Sequence, residues 1–199
     1  MTKSQIPITE IIIATTNKHK IHEIAHILKG IKLKGYGLKV IENGRTFEAN
    51  AIIKARACAE KFNEPAIADD SGLMVDCLNG SPGVRSARFA SPPTPHNLCT
   101  KLLSVMKNCK NRKAQFVCVI ALVQPDGKVK TFKGIVKGKI INEMRGTHGF
   151  GYDPVFVPDG YKKSFAQMSP AFKNRISHRA RALGKLKRAR EDSNLRPTD

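Results

Sequence analysis

Strands and helices alternate along this sequence, the pattern of an α/β domain. Ile8 to Thr15 is a β-branched run of strand length that passes straight into a capped helical pattern. An alanine-rich helix is halted by Pro65 immediately before the apolar run Ala66-Ile67-Ala68. Gln115 to Val123 and Lys128 to Val136 flank Pro125-Asp126-Gly127 and read as a hairpin.

The 199 residues suffice for one domain, or one domain with two lobes, around a substantial core. The formal net charge of +19 predicts attraction to polyanions: nucleic acid, anionic membrane or phosphorylated small molecules. Residues 173–199 concentrate that charge, with nine Lys and Arg against three carboxylates. With no tryptophan and three tyrosines, an aromatic platform for single strands is disfavoured. Cys58, Cys77, Cys99, Cys109 and Cys118 form an odd set without C-x-x-C spacing, which predicts reduced, buried thiols. Ile11 to Ala14 is too short for a signal-peptide core, and no stretch approaches a membrane span. A cytoplasmic protein with no membrane contact is expected.

In chain order, Thr16 or Asn17 caps a helix with Ile21, Ile24, Ala25 and Leu28 on one face. Its free N–H groups suit a phosphate and Lys18 and Lys20 add charge, although the glycines of a Walker A loop are missing. His19, His22 and His26 share a helix face that reads as solvated. Glu42-Asn43-Gly44 is a turn carrying an acid. Ala51, Ala55, Cys58, Ala59 and Phe62 mark an apolar helix face, with Asn50 and Lys54 one turn apart on another.

The apolar run then ends in Asp69-Asp70-Ser71-Gly72. Alternation keeps both carboxylates from one core, so at least one faces solvent or a cation. Two ionised carboxylates this close call for positive charge, most commonly a divalent metal; an Asx-type turn is the alternative. Leu73 to Val75 reads as short and extended, Gly80 to Gly83 as a turn, and Ser86 and Arg88 as part of a short strand. Ser91 to Pro95 is a loop, and His96 to Asn108 a helix with Leu98, Leu102, Val105 and Met106 inward. The glycine-rich passage Gly146 to Pro154 either lays its rings against a flat ligand or tucks a core aromatic beside a turn. Ser169-Pro170 opens a helix with Phe172, Ile176, Ala180 and Leu183 on its apolar face. Lys173 sits in its first turn, where the dipole disfavours a cation, a sign of an anionic ligand. A single domain over residues 1–190 and a frayed tail over 191–199 are expected.

Together these pieces resemble a known family. Thr15-Thr16-Asn17 with Lys20, Thr46-Phe47 leading to Asn50-Ala51 and Lys54-Ala55, Asp69-Asp70-Ser71-Gly72-Leu73, Pro82-Gly83-Val84 with Ser86-Ala87-Arg88, Gly149-Phe150-Gly151-Tyr152-Asp153-Pro154 and Ile176-Ser177-His178-Arg179 occur in that order. Over about residues 8 to 186 the chain resembles the inosine triphosphate pyrophosphatase family, enzymes that remove deaminated purine nucleoside triphosphates. The resemblance implies a homodimer of two-lobed α/β protomers around a long mixed sheet, with the active site in the cleft between lobes. It implies Mg²⁺-dependent hydrolysis of a purine nucleoside triphosphate (ITP, dITP or XTP) to monophosphate and pyrophosphate. By position Thr15, Thr16, Asn17, Lys18, His19 and Lys20 hold the phosphates with Lys54 and Ser71. Asp70 is the proton acceptor and a metal ligand, and Glu42 a second acidic ligand. Phe150, Gly151, Tyr152 and Asp153 line the nucleoside, completed by Lys173, His178 and Arg179. The chain departs from the family pattern in carrying Thr16 for a glycine, Gln167 for an acid and Phe172 for a glutamate.

Two other functions fit single features. A basic nucleic-acid-binding protein without catalysis would explain the charge but neither the Asp pair nor the Gly-Phe-Gly-Tyr loop, so nucleic-acid binding is expected to be non-specific at most. A serine hydrolase built on Ser71 and His178 lacks the G-x-S-x-G elbow.

Overall fold

A computed structural model describes residues 10–195. Strands β1 (Glu10–Ala14), β2 (Lys32–Tyr36), β3 (Ala66–Val75), β4 (Lys113–Val123), β5 (Val129–Ile140) and β6 (Phe156–Pro158) form one sheet in the order β2-β1-β3-β4-β5-β6. The β1/β2 and β1/β3 pairs are parallel and the remaining three antiparallel, so the sheet is mixed. Helices α1 (Lys18–Ile27), α2 (Phe47–Phe62), α3 (Pro95–Val105), α4 (Pro170–Ile176) and α5 (His178–Leu195) complete the α/β architecture.

Both sheet faces are covered at the centre, which is why β1 reads as a continuous isoleucine run rather than an alternating one. Ile11 and Ile13 pack with Ile67, Ile120 and Leu122 beneath α1 and α5. Ile12 and Ala14 pack with Ala66, Ala68, Val117 and Val119 beneath α2, whose small Ala51, Ala55 and Ala59 let the helix approach closely. A third cluster covers the far end of the α5 face, where Leu73, Val75 and Phe116 meet α3, Phe156 and Phe165. Helices α1 and α2 thus leave β1 and enter β3 on opposite faces, and the chain reverses direction across the sheet at β1. Open α/β sheets bind ligands outside the carboxyl ends of the strands at such a point. The Thr15–Asn17 loop stands there.

The β1/β3 register pairs Ile13 with Ile67, so β3 continues beyond the end of β1 just as Asp69 and Asp70 begin. The Asp pair was expected at a strand end; it sits in mid-strand, bonded in register to Ile120 and Val119 of β4. Alternation then sends Asp69 to the α5 face and Asp70 to the α2 face.

Several local expectations change in three dimensions. The stretch around Ser86 and Arg88 is a 3-10 turn (Gly83–Arg88), because the Ser86 hydroxyl donates to Gly83 O and accepts from Leu73 N. Glycine at position 72 permits this, since a Cβ there would lie 2.9 Å from Phe47 Cε1 and against Gly83 O. The helix opened by Ser169 is two helices, broken where Ser177 turns extended (φ −66°, ψ 161°). Val105 is 47 % exposed and Ala25 is exposed; Cys99 and Glu23 take the buried positions on their helices. Cys77 and Cys109, 32 residues apart, pair as a disulfide, whereas Cys58, Cys99 and Cys118 are buried free thiols. Strand β2 was not anticipated because its lysines mark a half-polar edge. Helix α5 runs to Leu195, so the expected frayed tail is helical that far; its last residues, like Ile8 and Thr9 at the start of the expected first strand, lie outside the described region.

Helix α5 is seated on β5 by the absence of a side chain at Gly134. A Cβ there would overlap backbone, lying 2.6 Å from Ala182 N and against His178 O. Gly134→Ala should therefore lower stability by roughly 1–3 kcal/mol, read as a lower urea midpoint; an unchanged midpoint would show that α5 is not packed this closely.

Candidate active site

The loop after β1 is ordered by its own side chains. Thr15 Oγ1 accepts from Asn17 N at 3.1 Å, and Asn17 Oδ1 accepts from His19 N and Lys20 N at 3.0 and 3.2 Å, capping α1. Thr16, Lys18 and His19 remain exposed; the cap takes the His19 and Lys20 N–H groups, so an anion there meets the helix dipole and exposed Lys18 rather than those two donors. Lys20 reaches inward to the Asp69 carboxylate.

Asp69, 1 % exposed, is held on every side. Arg179 donates to it as a fork, Nε to Oδ2 at 3.0 Å and Nη2 to Oδ1 at 3.3 Å. Ser71 Oγ donates to Oδ1 at 3.0 Å and Cys118 Sγ to Oδ2 at 2.9 Å. Burial alone would raise its pKa, but the Arg179 and Lys20 cations outweigh it and hold the carboxyl well below the usual range. From Arg179 the chain of charge continues to Glu23 of α1, then to Lys173 of α4 at 3.0 Å, then from Lys173 to Asp153 at 2.5 Å. Three cations and three carboxylates alternate through Lys20, Asp69, Arg179, Glu23, Lys173 and Asp153. The anion that Lys173 faces is thus a pair of protein carboxylates. Asp153 also accepts from Phe150 N at 2.8 Å, which fixes the glycine-rich loop.

On the other face, Lys54 donates to Asp70 Oδ1 at 2.7 Å and to Glu42 Oε2 at 3.3 Å. One turn earlier on α2, buried Asn50 accepts from Gly44 N at 2.8 Å and so anchors the loop that carries Glu42. Burial pushes the Asp70 carboxyl above the usual range, with Lys54 opposing. The neighbouring carboxylates are therefore tuned in opposite directions, one as a fixed anion and one as a readier base.

Phe150 is half-buried at the mouth, with His19 stacked on it at 5.3 Å between centroids and 17° between planes, and Lys173 Nζ 4.8 Å from its centroid. Tyr152, next but one, is a core residue: its ring is buried and its hydroxyl donates to Ser86 O at 2.9 Å. Gly151 has φ +61°, with open space where a Cβ would be. Arg179 is fully buried, with its donors on Asp69, Glu23 and Ser71. His178 is buried against Phe116, rings 4.8 Å apart and 11° from parallel, and its Nδ1 has no partner among the described residues.

The structure brings together Thr15, Asn17, Lys20, Ser71, Phe150, Asp153, Lys173 and Arg179 around one network, and sets Lys54, Asp70 and Glu42 in a second group on the opposite face. Glu23 and Cys118 escaped the sequence reading. Glu23 is the one carboxylate in a helix of lysines and histidines, beside the inward Ile24, and that isolation was the available signal. Nothing in the sequence marked Cys118 beyond its expected burial.

Burial, with the Arg179 and Lys173 cations, holds His178 well below the usual histidine range. The unfolded chain takes up a proton that the folded one refuses, so stability is full above the unfolded pKa and falls as pH drops below it. His178→Gln should flatten the loss of stability between pH 7.5 and 5.5 by roughly 1 kcal/mol, read from urea midpoints at both pH values. An identical slope in the variant would mean that the ring titrates freely.

Known proteins share this sequence pattern and fold. The "dITP/XTP pyrophosphatase" of Acholeplasma laidlawii is 43 % identical over 190 residues, covering 92 % of this chain and 94 % of that protein. The protein of the same name from Desulforamulus reducens is 46 % identical over 188 residues, covering 88 % and 92 %. The solved structure of the Staphylococcus aureus Ham1 protein superposes with a TM-score of 0.85 at 42 % identity, covering 92 % of this chain and 99 % of that one. A nucleoside-triphosphatase / dITP/XTP pyrophosphatase from Mycobacterium abscessus does so with a TM-score of 0.73 at 38 % identity, covering 89 % and 98 %. The Ham1 family profile matches residues 11–189, and the chain belongs to the Ham1 family.

Proposed function

We propose that this protein hydrolyses deaminated purine nucleoside triphosphates, dITP, ITP and XTP, to the monophosphate and pyrophosphate. The observation that carries this reading is the placement of Asp70, a buried carboxylate on Lys54, just past the end of β1 where a capped helix N-terminus opens. Relatives named for dITP and XTP hydrolysis at 43–46 % identity support it. Hydrolysis of a phosphoanhydride needs positioning and charge neutralisation more than covalent chemistry. The helix dipole at the start of α1, with Lys18, Lys20 and Lys54, supplies the neutralisation, and Thr15, Thr16, Asn17 and Ser71 supply polar contacts. Asp70, its pKa raised by burial, orients the attacking water and accepts its proton.

Among the described residues no three His, Cys, Asp or Glu side chains are grouped to hold a metal by themselves. Glu42 and Asp70 meet on one lysine, so two hard oxygen donors converge. That set fits magnesium, which is bound through one or two carboxylates and completes its shell from phosphate and water. When bound by Glu42 and Asp70, it supplies Lewis-acid polarisation of the phosphate being attacked.

In this reading the base takes the place of His19 on the Phe150 ring, with open space beside Gly151. Inosine and xanthosine carry a 6-oxo acceptor where adenine carries a 6-amino donor. A donor that pairs with the first opposes the second; Lys173 and Arg179 have their donors on Glu23, Asp153, Asp69 and Ser71, so the role is assigned to His178. The same reading carries a cytoplasmic homodimer, checked by sedimentation equilibrium. No described helix is long and apolar enough to cross a membrane.

Pyrophosphate release measured across dITP, ITP, XTP, dATP and dGTP, with and without Mg²⁺, tests the function. Strong turnover of the first three that collapses in EDTA is expected; equal turnover of dATP would refute it. Asp70→Asn should lower kcat by 10²–10⁴-fold while leaving the urea midpoint at or above that of the parent, since a burial-raised acid opposes folding at neutral pH. Near-normal turnover in that variant would remove Asp70 from the role of base.

A further inference from the structure

Away from the network, α5 and the open edge of β5 enclose a cleft of about 620 Å³. Its floor is Gly134, Ala180 and Gly184, whose small side chains leave the space open. Its walls carry Lys133 of β5, Arg175 of α4 and Arg181, Lys185 and Arg188 of α5, all exposed. None of these five cations is ion-paired with a carboxylate among the described residues. Like charges crowd a concave surface only at a cost in mutual repulsion, and such a surface focuses potential on an anion.

Two of the cations are fixed in place. Strand β6 pairs only with Gly138 to Ile140, leaving the preceding part of β5 as an edge. Arg181 Nη1 donates to Ile135 O and Lys185 Nζ to Lys133 O, each at 2.8 Å. An antiparallel strand turns a residue's N–H to the same side as its C=O, so the N–H groups of Lys133 and Ile135 face the cleft as well. Arg181 keeps further donors beyond the one used, and Lys185 two. Arg175 is steadied over the Phe172 ring at 5.0 Å.

We propose that this cleft is a second anion site that binds a chain of linked phosphates. Arg181, Lys185 and Arg188 form a stripe about 10 Å long on one helix face, which suits several phosphates in a row rather than one. The volume is that of a small-molecule site. No aromatic side chain lines the cleft, so it reads phosphate without reading a base. The source is either inorganic polyphosphate or the triphosphate tail of a nucleotide. This site is separate from the pyrophosphatase reading and stands without it.

The test is titration calorimetry of the full chain with sodium tripolyphosphate in EDTA at 150 mM salt. Two sites are expected. The triple variant R181Q/K185Q/R188Q should lose one, with affinity falling at least tenfold, and keep dITP hydrolysis; K54Q should lose the other. A control triple on exposed lysines elsewhere, K29Q/K107Q/K110Q, should keep both. Equal affinity for ATP identifies the triphosphate unit as what is read, and tighter binding of longer inorganic chains assigns the inorganic polymer; both uphold the site. A single site abolished by K54Q, or equal weakening by the control triple, would overturn it. So would a cleft triple that retains both sites.

Discussion

The pairing of Arg179 with Asp69 is the interaction on which the rest of the structure depends. A guanidinium with 0 % exposure and a carboxylate with 1 % cannot remain charged in the interior alone, and each is present because the other is. The fork joins α5 to the middle of β3, and Glu23 carries the charge on to α1 and, through Lys173 and Asp153, to the glycine-rich loop. One alternating series of ions therefore ties the sheet, three helices and the loop beneath Phe150. Its three positive and three negative charges cancel.

The fold makes this arrangement by simple means. Because β3 outruns β1 and its side chains alternate, adjacent aspartates serve opposite faces: one fixed by arginine, the other left on a lysine with its pKa raised. A pair on a single face would have needed positions two apart, as Asp69 and Ser71 are. The reversal of chain direction at β1 supplies the crevice, and the Asn17 cap opens the helix dipole into it. Compact packing at Gly72 and Gly134 then brings the 3-10 turn and α5 against the sheet.

Much of this was legible in the sequence because it is local. Asn17 as a cap, Pro65 as a break, the Pro125-Asp126-Gly127 hairpin and the burial of Cys58, Cys99 and Cys118 follow from neighbours within a few residues. What escaped depends on partners far along the chain. Tyr152 and Phe150 look alike in a glycine-rich loop, yet Tyr152 is core because Ser86 O, 66 residues away, accepts its hydroxyl. Lys173 broke a dipole rule for the sake of Glu23, 150 residues earlier, and Asp153. The odd cysteine count concealed the Cys77–Cys109 pair, since spacing carries no information about proximity across 32 residues. Ser177 ended a helix that apolar periodicity alone would have continued, because the period of Phe172, Ile176, Ala180 and Leu183 survives the break.

The most direct measurement of the central interaction is a double-mutant cycle on Asp69→Asn and Arg179→Gln, following urea stability and pyrophosphate release from dITP together. Each single change strands a buried charge, so each should destabilise by about 3–5 kcal/mol, while the double variant should lose far less than the sum. Additive losses would mean that the two side chains act independently and would contradict the account.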